Sequence, residues 1–125
     1  MRKRSFALLL ALVLLLTACA KAASYEQITQ EEAKQIMDTT NGYILLDTRT
    51  QEEYDQSHIP GALLIPHTEI AERAAAESPH KDPVILVYCR SGNRSKTASQ
   101  ALVDLGYTNV YEFGGINTWP YEVVQ

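Results

Sequence analysis

The sequence predicts an α/β fold with a mainly parallel central sheet flanked by helices. Short strand patterns alternate with helix patterns along the chain, and this alternation is typical of parallel sheets. Residues 43–46 and 84–88 are apolar without interruption, as expected of strands that are covered on both faces. The chain has 125 residues, which is the length of a single domain.

The first residues have the layout of an export signal. Basic residues at positions 2–4 precede an apolar run over residues 6–16. A transmembrane helix needs about 20 apolar residues, so this run is too short to be a permanent membrane span. We therefore expect it to direct export and then to be removed.

Residues 16–19 resemble a bacterial lipobox, in which a cysteine is acylated and becomes the first residue. On this interpretation residues 1–18 are a lipoprotein signal peptide, residues 19–24 are a lipid-anchored tether, and residues 25–125 form the domain. Cys19 is the lipidation site. The protein then lies on the extracytoplasmic side of a bacterial membrane, at the periplasmic face in a diderm cell. The alternative is an ordinary secretory signal with an unmodified Cys19.

Charge and cysteine content narrow the possible partners. The formal net charge is −4, and removal of the signal leaves a more acidic chain, which argues against a nucleic-acid partner. If Cys19 is acylated, Cys89 is the remaining thiol in a compartment where thiols usually pair. Cys89 is therefore either buried or reactive.

The first elements are a strand, a helix and a second strand. Residues 25–28 are typical of a strand, and Thr29 with Glu32 forms a capping box that opens a helix to about Asp38. The apolar run over residues 43–46 is the second strand.

A second capping box opens the next helix. Thr50 and Glu53 have the required spacing, and this short helix stops before His58. Residues 62–65 predict a third strand, and residues 68–77 suit a helix.

The last elements place a cysteine at the end of a central strand. The strand over residues 84–88 leads directly to Cys89. Apolar residues at helical spacing predict a helix over residues 94–105, which Gly106 ends, and residues 110–113 form a final strand. Parallel α/β sheets bind ligands at the carboxyl ends of their strands, so Cys89 lies at the edge where a site is expected.

The loop after this strand, residues 89–95, contains the groups that could make Cys89 reactive. A cysteine of ordinary pKa is mostly protonated at neutral pH, but helix N-termini and cations lower that pKa. Lowering it by two units takes about 2.7 kcal/mol, whereas a helix terminus contributes about 0.3–1 kcal/mol. We expect Arg90 and Arg94 to supply the rest. Gly92 permits a backbone turn in which N–H groups converge on an anion.

The sequence of residues 89–95, Cys-Arg-Ser-Gly-Asn-Arg-Ser, resembles the active-site loop of the rhodanese family of sulfurtransferases. Residues 46–54 and 57–62 resemble the amino-terminal signature of that family, and residues 113–116 with Trp119 resemble its carboxy-terminal signature. These motifs follow one another in the order of the family.

The resemblance implies a single rhodanese-like domain and a covalent mechanism without metal or cofactor. Cys89 is then the catalytic nucleophile, which takes a sulfane sulfur from a small anionic donor such as thiosulfate. The persulfide gives this sulfur to a thiol or cyanide acceptor. The substrate-binding residues implied in this way are Arg90, Ser91, Gly92, Asn93, Arg94 and Ser95.

Two other functions fit a cysteine loop. Cys-based phosphatases and arsenate reductases resemble one another in placing five residues between cysteine and arginine, whereas four separate Cys89 from Arg94. A non-catalytic rhodanese-like binding module is the other alternative. We expect structural roles for Asp47, Arg49 and His58.

Overall fold

The structure is a computed structural model that describes residues 24–125. The predicted signal peptide over residues 1–18 and the predicted lipidation site Cys19 lie outside the described residues. No helix within residues 24–125 is long and apolar enough to cross a bilayer.

A five-stranded sheet forms the centre of the described chain. The strands lie in the order β1-β5-β4-β2-β3, and every pair of neighbours is parallel. This confirms the predicted α/β fold. The strands are β1 (Glu26–Gln27), β2 (Ile44–Asp47), β3 (Leu63–Leu64), β4 (Ile85–Cys89) and β5 (Val110–Gly115).

Helices cover both faces of the sheet. In chain order they are α1 (Gln30–Thr39), α2 (Gln51–Gln56), α3 (Ile70–Glu77) and α4 (Asn93–Asp104), with 3₁₀ turns at His67–Glu69 and Ile116–Thr118.

Two apolar cores lie on opposite faces of the sheet, and β4 contributes to both. Ile85 and Val87 pack into the core beneath α3 and α4. Leu86 and Tyr88 pack into the core on the face of α1, which also contains Trp119. Successive strand residues point to opposite faces, so a strand covered on both sides has to be apolar throughout. This explains the uninterrupted run that the sequence shows.

Both predicted capping boxes are present. The Thr29 side chain accepts from the Glu32 N–H at 3.0 Å, and the Thr50 side chain accepts from the Glu53 N–H at 3.2 Å. In each box the glutamate reaches back to the backbone of its threonine. The sequence predicts these helix starts well because capping depends only on residues within one turn.

The last two elements differ from the predicted bounds. Helix α4 begins at Asn93, one residue before the predicted start, and β5 continues to Gly115, two residues beyond its predicted end. The extension arises because Gly115 pairs with Cys89 across an irregular register between β4 and β5. The end of β5 therefore lies directly against the cysteine loop.

A buried polar cluster stabilises the ends of β2 and β4. Asp47 and Arg49 form an ion pair of 2.7 Å, and both are almost fully buried. The Tyr88 hydroxyl donates to Asp47 at 2.7 Å and accepts from the Ile59 N–H at 3.1 Å. Buried charges need such partners. These contacts agree with the structural roles expected for Asp47 and Arg49.

His58 lies at the rim of this region. Its ring stacks on Tyr54 at 3.8 Å between centroids, and its backbone pairs with Val124. These contacts agree with a structural role for His58.

Candidate active site

Cys89 lies at the carboxyl end of β4 and immediately before α4. Its exposed fraction is 1%. The connection between the two elements has only three residues, Arg90, Ser91 and Gly92. Because the connection is so short, the first turn of α4 lies beside the sulfur, where unpaired helical N–H groups and the helix dipole favour a negative charge.

The Cys89 sulfur is surrounded by hydrogen-bonding groups of the chain. The Gly92 N–H donates to Sγ at 3.0 Å, and the Ser95 Oγ lies 3.2 Å from Sγ. Burial is the largest single influence on the Cys89 pKa and raises it. The Ser95 hydroxyl and the N–H groups of Ser95, Gly92 and Ser91 together outweigh burial, so the pKa lies below its ordinary value.

Two glycines make this arrangement possible. Gly92 has a φ of +106°, a backbone conformation that other residues rarely adopt, and it turns the chain into α4. Gly115 lies against the loop so closely that an added Cβ would come within 1.9 Å of the Arg90 carbonyl oxygen. That oxygen accepts from the Asn117 N–H at 3.2 Å. The end of β5 therefore supports the loop from behind.

Arg94 lies beside the loop, but Glu53 of α2 holds its guanidinium. The two side chains make a bidentate pair with N···O distances of 2.6 and 2.9 Å. Hydrogen bonding to Arg94 lowers the pKa of Glu53 to about 2. Glu53 raises the pKa of Arg94, and the charge of Cys89 raises it further. The sequence predicts that Arg90 and Arg94 stabilise the Cys89 thiolate. In the structure, this stabilisation comes mainly from Ser95 and the loop N–H groups.

The other predicted substrate-binding residues lie around the loop mouth. Arg90, Ser91 and Asn93 are exposed, whereas Gly92 and Ser95 are buried. The Arg90 guanidinium makes no hydrogen bond or ion pair with another residue in the range 24–125. Arg90 is therefore free to meet an incoming anion, and the substrate-binding roles of these residues remain predictions.

Glu112 is a site residue that sequence reasoning missed. It is only 3% exposed, and its Oε1 accepts from the Ser95 hydroxyl at 2.7 Å and from the Gly114 N–H at 2.8 Å. One signal was available in the sequence. Glu112 follows the apolar Val110 by two residues, so the strand period puts a carboxylate on a buried face.

The described residues offer no metal site. Within residues 24–125, no group of three or more His, Cys, Asp or Glu side chains is arranged to hold an ion. The side chains around Sγ are a hydroxyl and, behind it, one carboxylate. The Gly92 N–H, which donates to Sγ, is suited to stabilising a negative charge there.

Comparison with known proteins assigns the family. The family model of the rhodanese-like domain matches residues 29–121, a range that includes the Cys89 loop and the end of β5. The chain belongs to the rhodanese-like domain family. The predicted family and fold are confirmed by this match.

Two curated relatives of this rhodanese-like domain are named thiosulfate sulfurtransferase. Thiosulfate sulfurtransferase PspE of Escherichia coli is 41% identical over 71 residues, which are 57% of this chain and 68% of PspE. Thiosulfate sulfurtransferase GlpE of Coxiella burnetii is 33% identical over 96 residues, which are 76% of this chain and 87% of GlpE. These names confirm the predicted rhodanese-type enzyme class.

Solved rhodanese structures have the same fold. An E. coli rhodanese with anions is 36% identical and has a TM-score of 0.63 over 67% of this chain and 99% of that one. A rhodanese-related protein of Thermoplasma volcanium is 30% identical and has a TM-score of 0.68 over 80% of this chain and 98% of that one.

The ion pair of Glu53 with Arg94 predicts a pH-dependent stability. Because folding lowers the Glu53 pKa from 4.5 to about 2, the ionised pair stabilises the rhodanese-like domain above the ordinary pKa, and this contribution is lost as pH falls towards about 2. Glu53→Gln keeps the capping box and should lower the free energy of unfolding by about 1 kcal/mol at neutral pH. The difference in the free energy of unfolding between this variant and wild type should disappear as the pH approaches about 2.

Chemical denaturation at a series of pH values measures this effect. Glu52→Gln is the matched control, because Glu52 is an exposed neighbour on the same helix turn. A Glu53→Gln effect that is constant with pH would contradict the linkage.

Proposed function

We propose that the protein is a sulfurtransferase that moves a sulfane sulfur from thiosulfate or a similar anionic donor to a thiophilic acceptor through a persulfide on Cys89. The observation that carries this proposal is the setting of Sγ, which accepts the Gly92 N–H at 3.0 Å beside the start of α4. A buried sulfur with such donors can carry a negative charge and act as a nucleophile. Relatives named thiosulfate sulfurtransferase support the same reaction.

In the first half-reaction the Cys89 thiolate attacks the sulfane sulfur of thiosulfate. A bond forms between Sγ and that sulfur, and the sulfur–sulfur bond of thiosulfate breaks. Its electron pair leaves with sulfite. The cysteine then carries a persulfide whose negative charge is on the outer sulfur, so the loop N–H groups remain useful after the transfer.

In the second half-reaction the acceptor attacks the outer sulfur. Cyanide or a thiolate forms the new bond, and the electron pair of the persulfide bond returns to Sγ. Cys89 leaves as a thiolate. The same donors that lower its pKa also make it a better leaving group, so one set of contacts serves both halves of the cycle.

The size of the loop and the pairing of Arg94 favour sulfur chemistry over phosphate chemistry. Four residues separate Cys89 from Arg94, one fewer than in the phosphatase loop. Glu53 also occupies both terminal nitrogens of Arg94, which a phosphatase would use to hold a tetrahedral oxyanion. A nucleophilic setting around Cys89 in turn favours catalysis over a role as a passive binding module.

The persulfide predicts a change in mass. Purified protein treated with thiosulfate should gain the mass of one sulfur atom on Cys89, and cyanide should remove it with release of thiocyanate. Intact mass spectrometry and a thiocyanate assay measure the two steps. The control variant Cys89→Ser should gain nothing. Absence of the gain in wild type, with Cys89 shown to be reduced, would sink the proposal.

Arg90 is predicted to attract the donor. Arg90→Ala should raise the KM for thiosulfate about two- to fivefold and leave kcat little changed, because an exposed charge contributes up to about 1 kcal/mol to binding a screened anion. Steady-state kinetics at low and high salt measure this effect, which should shrink as salt increases. Lys96→Ala is the control, since Lys96 is an exposed cation on α4. Equal effects of both variants would remove the specific role of Arg90.

We further propose that the protein is exported and anchored by lipid on Cys19, on the strength of the lipobox-like residues 16–19. Two or three acyl chains hold a domain firmly on a bilayer. Cys19→Ala should therefore move the protein from the membrane fraction to the soluble fraction in a bacterial host. Cys89→Ser is the matched control and should stay with the membrane. If Cys19→Ala partitions like wild type, the anchor is not at Cys19.

A further inference from the structure

Glu112 is a buried carboxylate that the proposed sulfur transfer does not use. Its Oε1 lies 2.7 Å from the Ser95 Oγ, which in turn lies 3.2 Å from the Cys89 Sγ. Three heavy atoms, Sγ, Oγ and Oε1, thus form a continuous hydrogen-bonded chain from the loop into the sheet. Among residues 24–125 no hydrogen bond joins Glu112 to Sγ directly, and the hydrogen-bonded connection runs through Ser95.

The number of protons shared by Sγ, Oγ and Oε1 decides which of these atoms can donate a hydrogen bond. Two hydrogen bonds need two protons, and the Ser95 hydroxyl supplies one. In the structure the Cys89 Sγ donates to the Ser95 Oγ, so the second proton is on the sulfur. In that state the Cys89 thiol donates to Ser95, Ser95 donates to Glu112, and both bonds are complete.

Ionisation of Cys89 removes one of the two protons. The Ser95 hydroxyl then faces two anions, the thiolate and the Glu112 carboxylate, and it can donate to only one of them. If it turns to the sulfur, Glu112 keeps the Gly114 N–H but loses its shorter hydrogen bond. Leaving a buried charge with fewer donors is costly, so this loss opposes formation of the thiolate.

We propose that Glu112 is a positioning residue that restrains ionisation of Cys89 by holding the proton of the Ser95 hydroxyl. The loop N–H groups favour the Cys89 thiolate, whereas Glu112 opposes its formation. At rest Cys89 is then a thiol, and the loop N–H groups stabilise the thiolate once it forms.

The charge of Glu112 depends on the Ser95 hydroxyl and the Gly114 N–H for its stabilisation. Among residues 24–125 no cation forms an ion pair with Glu112, and the nearest group from β1 is the neutral Gln27 amide, 3.5 Å from Oε2. From α4, Arg94 acts on the thiolate but is held by Glu53 of α2. At the end of β2, Asp47 is paired with Arg49.

The effect of Glu112 on Cys89 ionisation also has a consequence for the enzyme that carries the persulfide, called the loaded form here. This step rests on the proposed persulfide. In the persulfide Sγ has formed a second covalent bond and carries neither a proton nor the charge, which is on the outer sulfur. Ser95 can therefore go on donating to Glu112. Glu112 thus disfavours the free thiolate more than the persulfide and shifts the equilibrium with thiosulfate and sulfite towards the loaded form.

The pH dependence of Cys89 alkylation tests the proposal. The rate of reaction with iodoacetamide is followed on the peptide that contains Cys89, for wild type, Glu112→Gln, Ser95→Ala and the double variant. The amide of Glu112→Gln still accepts the Gly114 N–H but competes weakly for the Ser95 proton. We expect its alkylation midpoint to fall by about one pH unit, which is about tenfold more thiolate below the midpoint.

The double variant separates the route through Ser95 from a direct effect of charge. In the Ser95→Ala background, Glu112→Gln should shift the midpoint far less, because there is no hydroxyl proton to release. Ser95→Thr, which keeps a hydroxyl, should restore the sensitivity to Glu112→Gln. A full shift in the Ser95→Ala background would overturn the proposal, as would no shift, or a shift to higher pH, in Glu112→Gln alone.

Two further points keep the test decisive. Alkylation needs no sulfur donor, so its outcome is independent of the mass experiment that tests the proposed function. If Glu112→Gln does not fold, wild type alone suffices, because the carboxyl carbon resonance of Glu112 should change at the pH where Cys89 ionises. A carboxyl signal that stays constant through the Cys89 titration would overturn the coupling.

Discussion

The site depends on one constraint, which is that a negative charge on a buried sulfur must be held by donors from the chain. Cys89 is 1% exposed, so water contributes little to its ionised form. The donors come from the connection after β4 and from the first turn of α4, and they reach Sγ because this connection is only three residues long. Gly92 and Gly115 follow from the same need, since one turns the chain and the other lets β5 approach it.

The parts of the fold that the sequence predicts are those set by near neighbours along the chain. The capping boxes at Thr29 and Thr50 and the apolar strand at residues 84–88 depend on periodicity and one-turn spacing. The end of β5 was predicted two residues short, because its last pair joins Cys89 to Gly115 across the sheet. Local pattern carries no information about such a pair.

The site shows the same division. The motif pointed to Cys89 and its loop as the candidate site, but the partners Glu53 and Glu112 come from α2 and β5, which are distant in sequence. The motif suggested that two arginines stabilise the sulfur. In the fold, Glu53 binds Arg94, and the groups that favour the thiolate are the Ser95 hydroxyl and three backbone N–H groups of the loop and the first turn of α4. Charges that look free in a sequence acquire partners once the helices pack.

The donors around Cys89 also bear on how this protein can diversify. Most of them are backbone N–H groups, which a change of side chain does not remove. Ser91 and Asn93, in contrast, are exposed. In the proposed reaction, the charge on the sulfur is therefore stabilised mainly by the main chain, whereas exposed side chains at the loop mouth would meet the sulfur donor. The two can evolve, or be engineered, separately.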